Sequence, residues 1–119
     1  MYGNLEHANF YFIKGNQLFN KADYINAVKN YARSIQLQPN HLLAYQNQGN
    51  AYYQLGLYSK SVESYTRIIN LNPNDANAFY NRAIAKKRMK QFLSAIEDFS
   101  KAIQIKPYAY AYVNRGTAY

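Results

Sequence analysis

Ser34-Ile35-Gln36-Leu37-Gln38-Pro39, Ile68-Ile69-Asn70-Leu71-Asn72-Pro73 and Ala102-Ile103-Gln104-Ile105-Lys106-Pro107 are versions of one segment, and their prolines are spaced 34 residues apart. A fixed period of about 20 to 50 residues marks stacked supersecondary units that share one continuous core. Working back from each proline, the same register holds an aromatic (Tyr11, Tyr45, Phe79), a small residue (Gly15, Gly49, Ala83) and a second aromatic (Tyr24, Tyr58, Phe92). It continues with Ala27, Ser61 and Ala95, and then with Tyr31, Tyr65 and Phe99.

The second half of each unit is helical in pattern. Tyr24, Ala27, Val28, Tyr31 and Ile35 fall at the i, i+3, i+4, i+7, i+11 spacing of a helix with one buried face. Tyr58, Ser61, Val62, Tyr65 and Ile69 repeat it, as do Phe92, Ala95, Ile96, Phe99 and Ile103. The first halves read as helices too, and the small residues let the paired helix approach closely. Proline lacks the N–H and biases its predecessor away from the α region, so it closes each second helix, and Asn74-Asp75 offers capping side chains to the next. The pattern predicts helices over 8–20, 24–37, 42–54, 58–71, 76–89 and 92–105. Ala109 to Tyr119 then repeats the start of a first helix without its partner. That stretch carries Tyr110, Tyr112, Val113 and Tyr119, an apolar face expected either to continue a longer array or to dock on a second copy through Tyr112 and Tyr119.

Composition narrows the class. The chain has 119 residues, of which 49% are hydrophobic and 17% charged, the balance of a packed globular unit rather than a disordered one. There is no apolar run near the ~20 residues needed to cross a bilayer, and no cysteine for a disulfide or thiolate metal site. Met1 to His7 lacks the basic flank and apolar run of a secretory signal, so a cytoplasmic setting is expected. Net charge is +8, which favours acidic peptides, nucleic acid or anionic lipid without choosing among them. Catalysis has little to work with. His7 in an N-terminal tail and His41 in a loop read as solvated, Glu97 and Asp98 diverge around one helix as a solvated face, and the helical glycines cradle no phosphate. The expectation is a chain that is not an enzyme and has no cofactor and no metal site.

The pattern of aromatic, small residue, aromatic, Ala-x3-aromatic and proline resembles the tetratricopeptide repeat over residues 8 to 119. Departures stand at Lys14, Gln48 and Arg82, where Leu is usual, and at Leu18 and Lys86, where Tyr is usual. The resemblance implies an all-α, right-handed solenoid. It would comprise an N-terminal tail (1–7), three helical hairpins (8–41, 42–75, 76–108) and the first helix of a partial fourth (109–119). It further implies a concave groove lined by the first helices, which would bind an extended peptide. By resemblance that lining comprises Phe12, Asn16, Phe19 and Asn20; then Gln46, Asn47, Asn50 and Tyr53; then Asn77, Tyr80, Asn81, Ile84, Lys87 and Arg88; and finally Asn114.

Amides recur in register at Asn47, Asn81 and Asn114, and a carboxamide can serve the unpaired main chain of a peptide as donor and acceptor. The carboxylate clamp through which some relatives hold chaperone C-termini is not carried over. Asn16 and Asn47 match it, but Phe12, Asn77 and Asn81 stand where its cations belong. One repeat further on, Asn50 and Asn81 match while Gln46, Tyr110 and Asn114 replace them. Charge is uneven: residues 8–41, 42–75 and 76–109 carry net +3, 0 and +5. Arg82, Lys86, Lys87, Arg88 and Lys90 gather it on the third first-helix, where Lys87 and Arg88 would draw an acidic stretch of a peptide, while Lys86 and Lys90 read as solvated. The readings are therefore a peptide-binding interaction scaffold or, as alternatives, a self-assembly module and a basic nucleic-acid surface.

Overall fold

The computed structural model describes residues 2–107, and the expected partial fourth repeat, with Tyr112, Asn114 and Tyr119, lies outside the described residues. Helices α1 (Tyr2–Asn20), α2 (Tyr24–Leu37), α3 (Leu42–Gln54), α4 (Tyr58–Leu71), α5 (Ala76–Arg88) and α6 (Phe92–Ile105) follow one another in an all-α solenoid. Each odd helix packs on the next even one, and α2 and α4 pack on α3 and α5, so neighbouring hairpins share one core in an elongated molecule of 46 × 26 × 20 Å.

The local chemistry explains the boundaries. The three turns inside the hairpins close alike, with the N–H groups of Asp23, Leu57 and Gln91 donating to the carbonyls of Leu18, Tyr52 and Lys86 at 2.9 Å. Each turn needs one residue in the left-handed region. Gly56 (φ 76°) supplies it in the second hairpin, whereas Ala22 and Lys90 (both φ 62°) adopt it in the others. Asp75 caps α5 by accepting from the Ala78 N–H, and Asp23 caps α2. Two expectations are corrected. Residues 2–7 are not a tail but the opening of α1, exposed over 3–7, and α5 ends at Arg88, one residue early.

Gly15 and Gly49 are required by packing. A Cβ on either would stand 2.7 Å from the Tyr31 ring or 2.6 Å from the Tyr65 ring, both within their own hairpin and fully buried. In the third hairpin Ala83 and Phe99 fill the same slots, with Ala95, and Tyr80 and Ile84 pack around them.

Candidate functional site

The two tyrosines do more than fill space. Tyr31 Oη donates to Asn16 Oδ1 at 2.6 Å, and Tyr65 Oη donates to Asn50 Oδ1, so each second helix reaches through the core to grip an amide on the first. Asn16 Oδ1 also accepts from Asn47 Nδ2 at 2.9 Å, which ties α1 to α3. These bonds orient the amides. The Nδ2 donors of Asn16 and Asn50 stay unengaged among the described residues, as does the Oδ1 acceptor of Asn47, while Asn81 uses neither end.

Two open depressions of about 350 Å³ each adjoin along the first-helix face. Asn16, Phe19, Asn20, Tyr31, Asn47 and Asn50 line one; Phe19, Asn50, Tyr53, Gln54, Tyr65, Asn81 and Ile84 line the other, so Phe19 and Asn50 join them into one groove. Eight of the residues expected on this face therefore stand together there. Phe12 lines neither depression but packs against His41 and Tyr31, with ring centroids 4.6 Å and 6.1 Å away, and Gln46, Asn77, Tyr80, Lys87 and Arg88 also lie outside both. By pattern alone, Tyr31 and Tyr65 read as core. The signal that reveals their second role is co-substitution within the chain: Tyr faces Asn in two hairpins, and Phe99 faces Ile84 in the third.

Charge is arranged differently from the sequence expectation. Asp98 is not solvated but 5% exposed, and it takes Arg82 Nε and Nη2 at 2.8 Å each and Lys86 Nζ at 2.9 Å. Arg82 Nη1 also donates to Thr66 Oγ1 of the preceding hairpin at 3.2 Å. Lys86 is thus a structural partner rather than a solvated cation, and on or just after α5 the cations without a carboxylate partner among the described residues are Lys87, Arg88 and Lys90. Arg88 lies at the rim: its Nη2 donates to Tyr58 Oη at 2.9 Å, and its Cζ sits 5.3 Å and 5.9 Å from the Tyr58 and Tyr53 ring centres.

Burial pushes the Tyr31 hydroxyl up to about 12, opposed by the Asn47 carboxamide. Tyr65 is likewise raised to about 12, by burial first and then by Tyr53, against Ser61. The Tyr58 hydroxyl raises the Arg88 guanidinium further still. His41 is half-buried, not solvated. Its Nδ1 accepts from the Ala44 N–H at 3.2 Å as the cap of α3, and burial lowers its pKa, against its own backbone hydrogen bond. Among the described residues no three His, Asp or Glu side chains gather as a metal site would require, and no helix is long and apolar enough to cross a membrane.

Profiles described as tetratricopeptide repeat match residues 8–41 and 76–108, and one described as TPR repeat matches 49–90. The chain belongs to the tetratricopeptide-repeat family, whose helical hairpins typically serve as interaction modules. No protein of curated function matches it. Among solved structures it is similar to the Arabidopsis OM64 TPR domain, at 22% identity and TM-score 0.89 over 97% of this chain and 96% of that one. The second TPR domain of human RPAP3, solved in complex with the HSP70 peptide SGPTIEEVD, gives 21% and 0.86 over 98% and 96%. MamA from Desulfovibrio magneticus RS-1, residues 41 to the end, gives 26% and 0.78 over 84% of this chain and 56% of that one. As a member of this family, the chain is a protein interaction scaffold.

Proposed function

We propose that this scaffold holds an extended peptide segment of a partner protein in the groove along α1, α3 and α5. The observation that carries the reading is the set of oriented amides in a continuous groove: donors at Asn16 and Asn50, an acceptor at Asn47, and an uncommitted carboxamide at Asn81. An extended strand presents N–H and C=O groups of alternate residues to one side, and fixed side-chain amides can pair with them at about 0.5 to 1.5 kcal/mol net each. Phe19, Tyr53 and Ile84 add apolar contact area between the amides.

The RPAP3 domain binds its peptide on the same fold, which supports a peptide as the ligand class. The occupant differs in its anchoring. Phe12, Asn77 and Asn81 occupy the positions at which a carboxylate clamp keeps cations, so a peptide here is held by its backbone amides and apolar side chains along the groove rather than by its terminal carboxylate.

Peptide-display selection at moderate salt tests this, run with the parent and with an Asn47→Ala, Asn81→Ala double variant of confirmed helicity. The parent enriches a motif and the double variant loses it. Enrichment that survives in the double variant, or none by the parent, refutes an amide-reading groove.

A further inference from the structure

Arg88 differs from the other arginine of α5 in what it leaves free. Arg82 spends Nε and Nη2 on Asp98 and Nη1 on Thr66, so its guanidinium is consumed by the fold. Arg88 spends one Nη2 hydrogen on Tyr58 Oη and makes no other hydrogen bond or ion pair among the described residues. A guanidinium has five N–H donors arranged in two-toothed edges, so one complete edge of Arg88 stays open. The group is also held in place. Tyr53 and Tyr58 meet edge to face at 5.2 Å, and the guanidinium lies over both rings at 5.9 Å and 5.3 Å. Stacking and the Tyr58 bond remove the freedom that an arginine otherwise loses on binding.

The location matters as much as the geometry. Tyr53, under the guanidinium, is also a wall of the groove beside Asn81 and Ile84. Lys87 and Lys90, neither with a carboxylate partner among the described residues, stand in the same stretch of chain. From this we infer that Arg88, braced on Tyr53 and Tyr58, is an anion seat at the α5 end of the groove that takes an Asp or Glu side chain of the bound peptide in a two-toothed pair. The flanking lysines favour an acidic run over a single carboxylate. The inference rests on the peptide-groove reading and gives the occupant a direction: backbone held along α1 and α3, acidic end over the close of α5. Tyr58 acts here as a positioning residue.

The experiment uses displayed random peptides whose C-termini are fused, so that only side-chain carboxylates are offered. The leading peptide is then synthesised with a blocked C-terminus, both as selected and with its conserved acid changed to the amide. The parent prefers the acid form by about tenfold, the scale of a charge-assisted pair. Arg88→Gln brings the ratio to about one while keeping the rest of the motif. Arg88→Lys leaves a partial preference, since charge stays but the fork is lost, and Tyr58→Phe, which keeps the ring, lowers the preference without abolishing it. A parent motif without an acid, or a preference untouched by Arg88→Gln, overturns the seat and leaves the groove reading standing. A preference that disappears only in Lys87→Gln, Lys90→Gln also overturns it, in favour of diffuse charge. No enrichment by the parent overturns both.

Discussion

The second and third hairpins fill the same slots with opposite chemistries. In the second, Gly49, Asn50 and Tyr65 form one set: the ring lies against a glycine so that its hydroxyl can reach the amide. In the third, Ala83, Ile84 and Phe99 occupy those slots, and without a hydroxyl to deliver, the ring leaves room for a methyl group. A neighbouring slot pair divides in the same way. Ser64 Oγ donates to Gln48 Oε1 at 3.1 Å in the second hairpin, where the third has Asp98 between Arg82 and Lys86. Residues that touch have changed together, so these are interchangeable sets rather than independent positions. Along the groove the consequence is a gradient, from oriented amides over α1 and α3 to an apolar floor whose rim on α5 holds cations with no carboxylate partner among the described residues.

The largest effect that would sharpen this contrast is at the charged set. Asp98→Asn leaves Arg82 and Lys86 side chains, 17% and 14% exposed, with no balancing charge, and is expected to cost about 3 to 5 kcal/mol. Ser64→Ala, at the equivalent position, removes one neutral hydrogen bond and should cost about 1 kcal/mol. Urea denaturation of both variants checks the pair; equal losses would mean that the two sets do the same work.

Alkaline titration separates the hairpins next. Tyr31 and Tyr65 ionise at about 12 when folded against 10.0 otherwise. Between those values the unfolded chain gives up protons that the folded chain keeps, so stability falls as pH rises from 10 to 12 and is unaffected below. The expected loss is about 2 kcal/mol per tyrosine by pH 12. Phe99 cannot contribute. Tyr31→Phe should therefore flatten half of the decline seen in urea melts across that range, and an unchanged decline would show that the buried hydroxyls do not titrate as their burial requires.

Transplanting a set is the sharpest break. Gly49→Ala alone drives a methyl group into the Tyr65 ring and should cost about 1 to 2 kcal/mol, overpacking outweighing the better helix propensity of alanine. Adding Asn50→Ile and Tyr65→Phe recreates the third hairpin's solution and is expected to restore thermal stability to that of the parent. A triple variant as unstable as the single one would show that the sets are not portable between hairpins.

The sequence exposed these helices because their signals are local. Proline at 39 and 73, and Asp75 ahead of Ala76, end and start helices through groups within a few residues. The stripe from Tyr58 to Ile69 likewise fixes which face of α4 is buried. What stayed hidden depends on partners far along the chain. Asp98 reads as solvated beside Glu97 until its cations, 16 and 12 residues earlier at Arg82 and Lys86, are brought across the hairpin. Tyr31 reads as core until Asn16 lies opposite. The opening of α1 offered no cue, because residues 3–7 are exposed and carry neither cap nor apolar period. Eight residues that line the two depressions are those the family resemblance implies for that face. The bracing of Arg88 was not legible, since Tyr58 lies 30 residues before it and belongs to another hairpin.

The smallest expected effect tests the caps, where hairpins again differ at one slot. His41 and Asp75 each accept an N–H three residues on, from Ala44 and Ala78. The histidine can do so only while Nδ1 carries no proton, and burial lowers its pKa accordingly. The unfolded chain binds that proton near 6.5 and the folded chain only at lower pH, so stability is lost as pH falls below 6.5, by no more than the ~1 kcal/mol of a helix cap. His41→Asp imports an aspartate at the cap, and the ordinary carboxylate range of about 4 lies below this window. Urea midpoints at pH 7 and pH 5.5 should differ in the parent and converge in the variant. If the variant keeps the full difference, the acid sensitivity arises elsewhere, and the two caps are equivalent despite their chemistry.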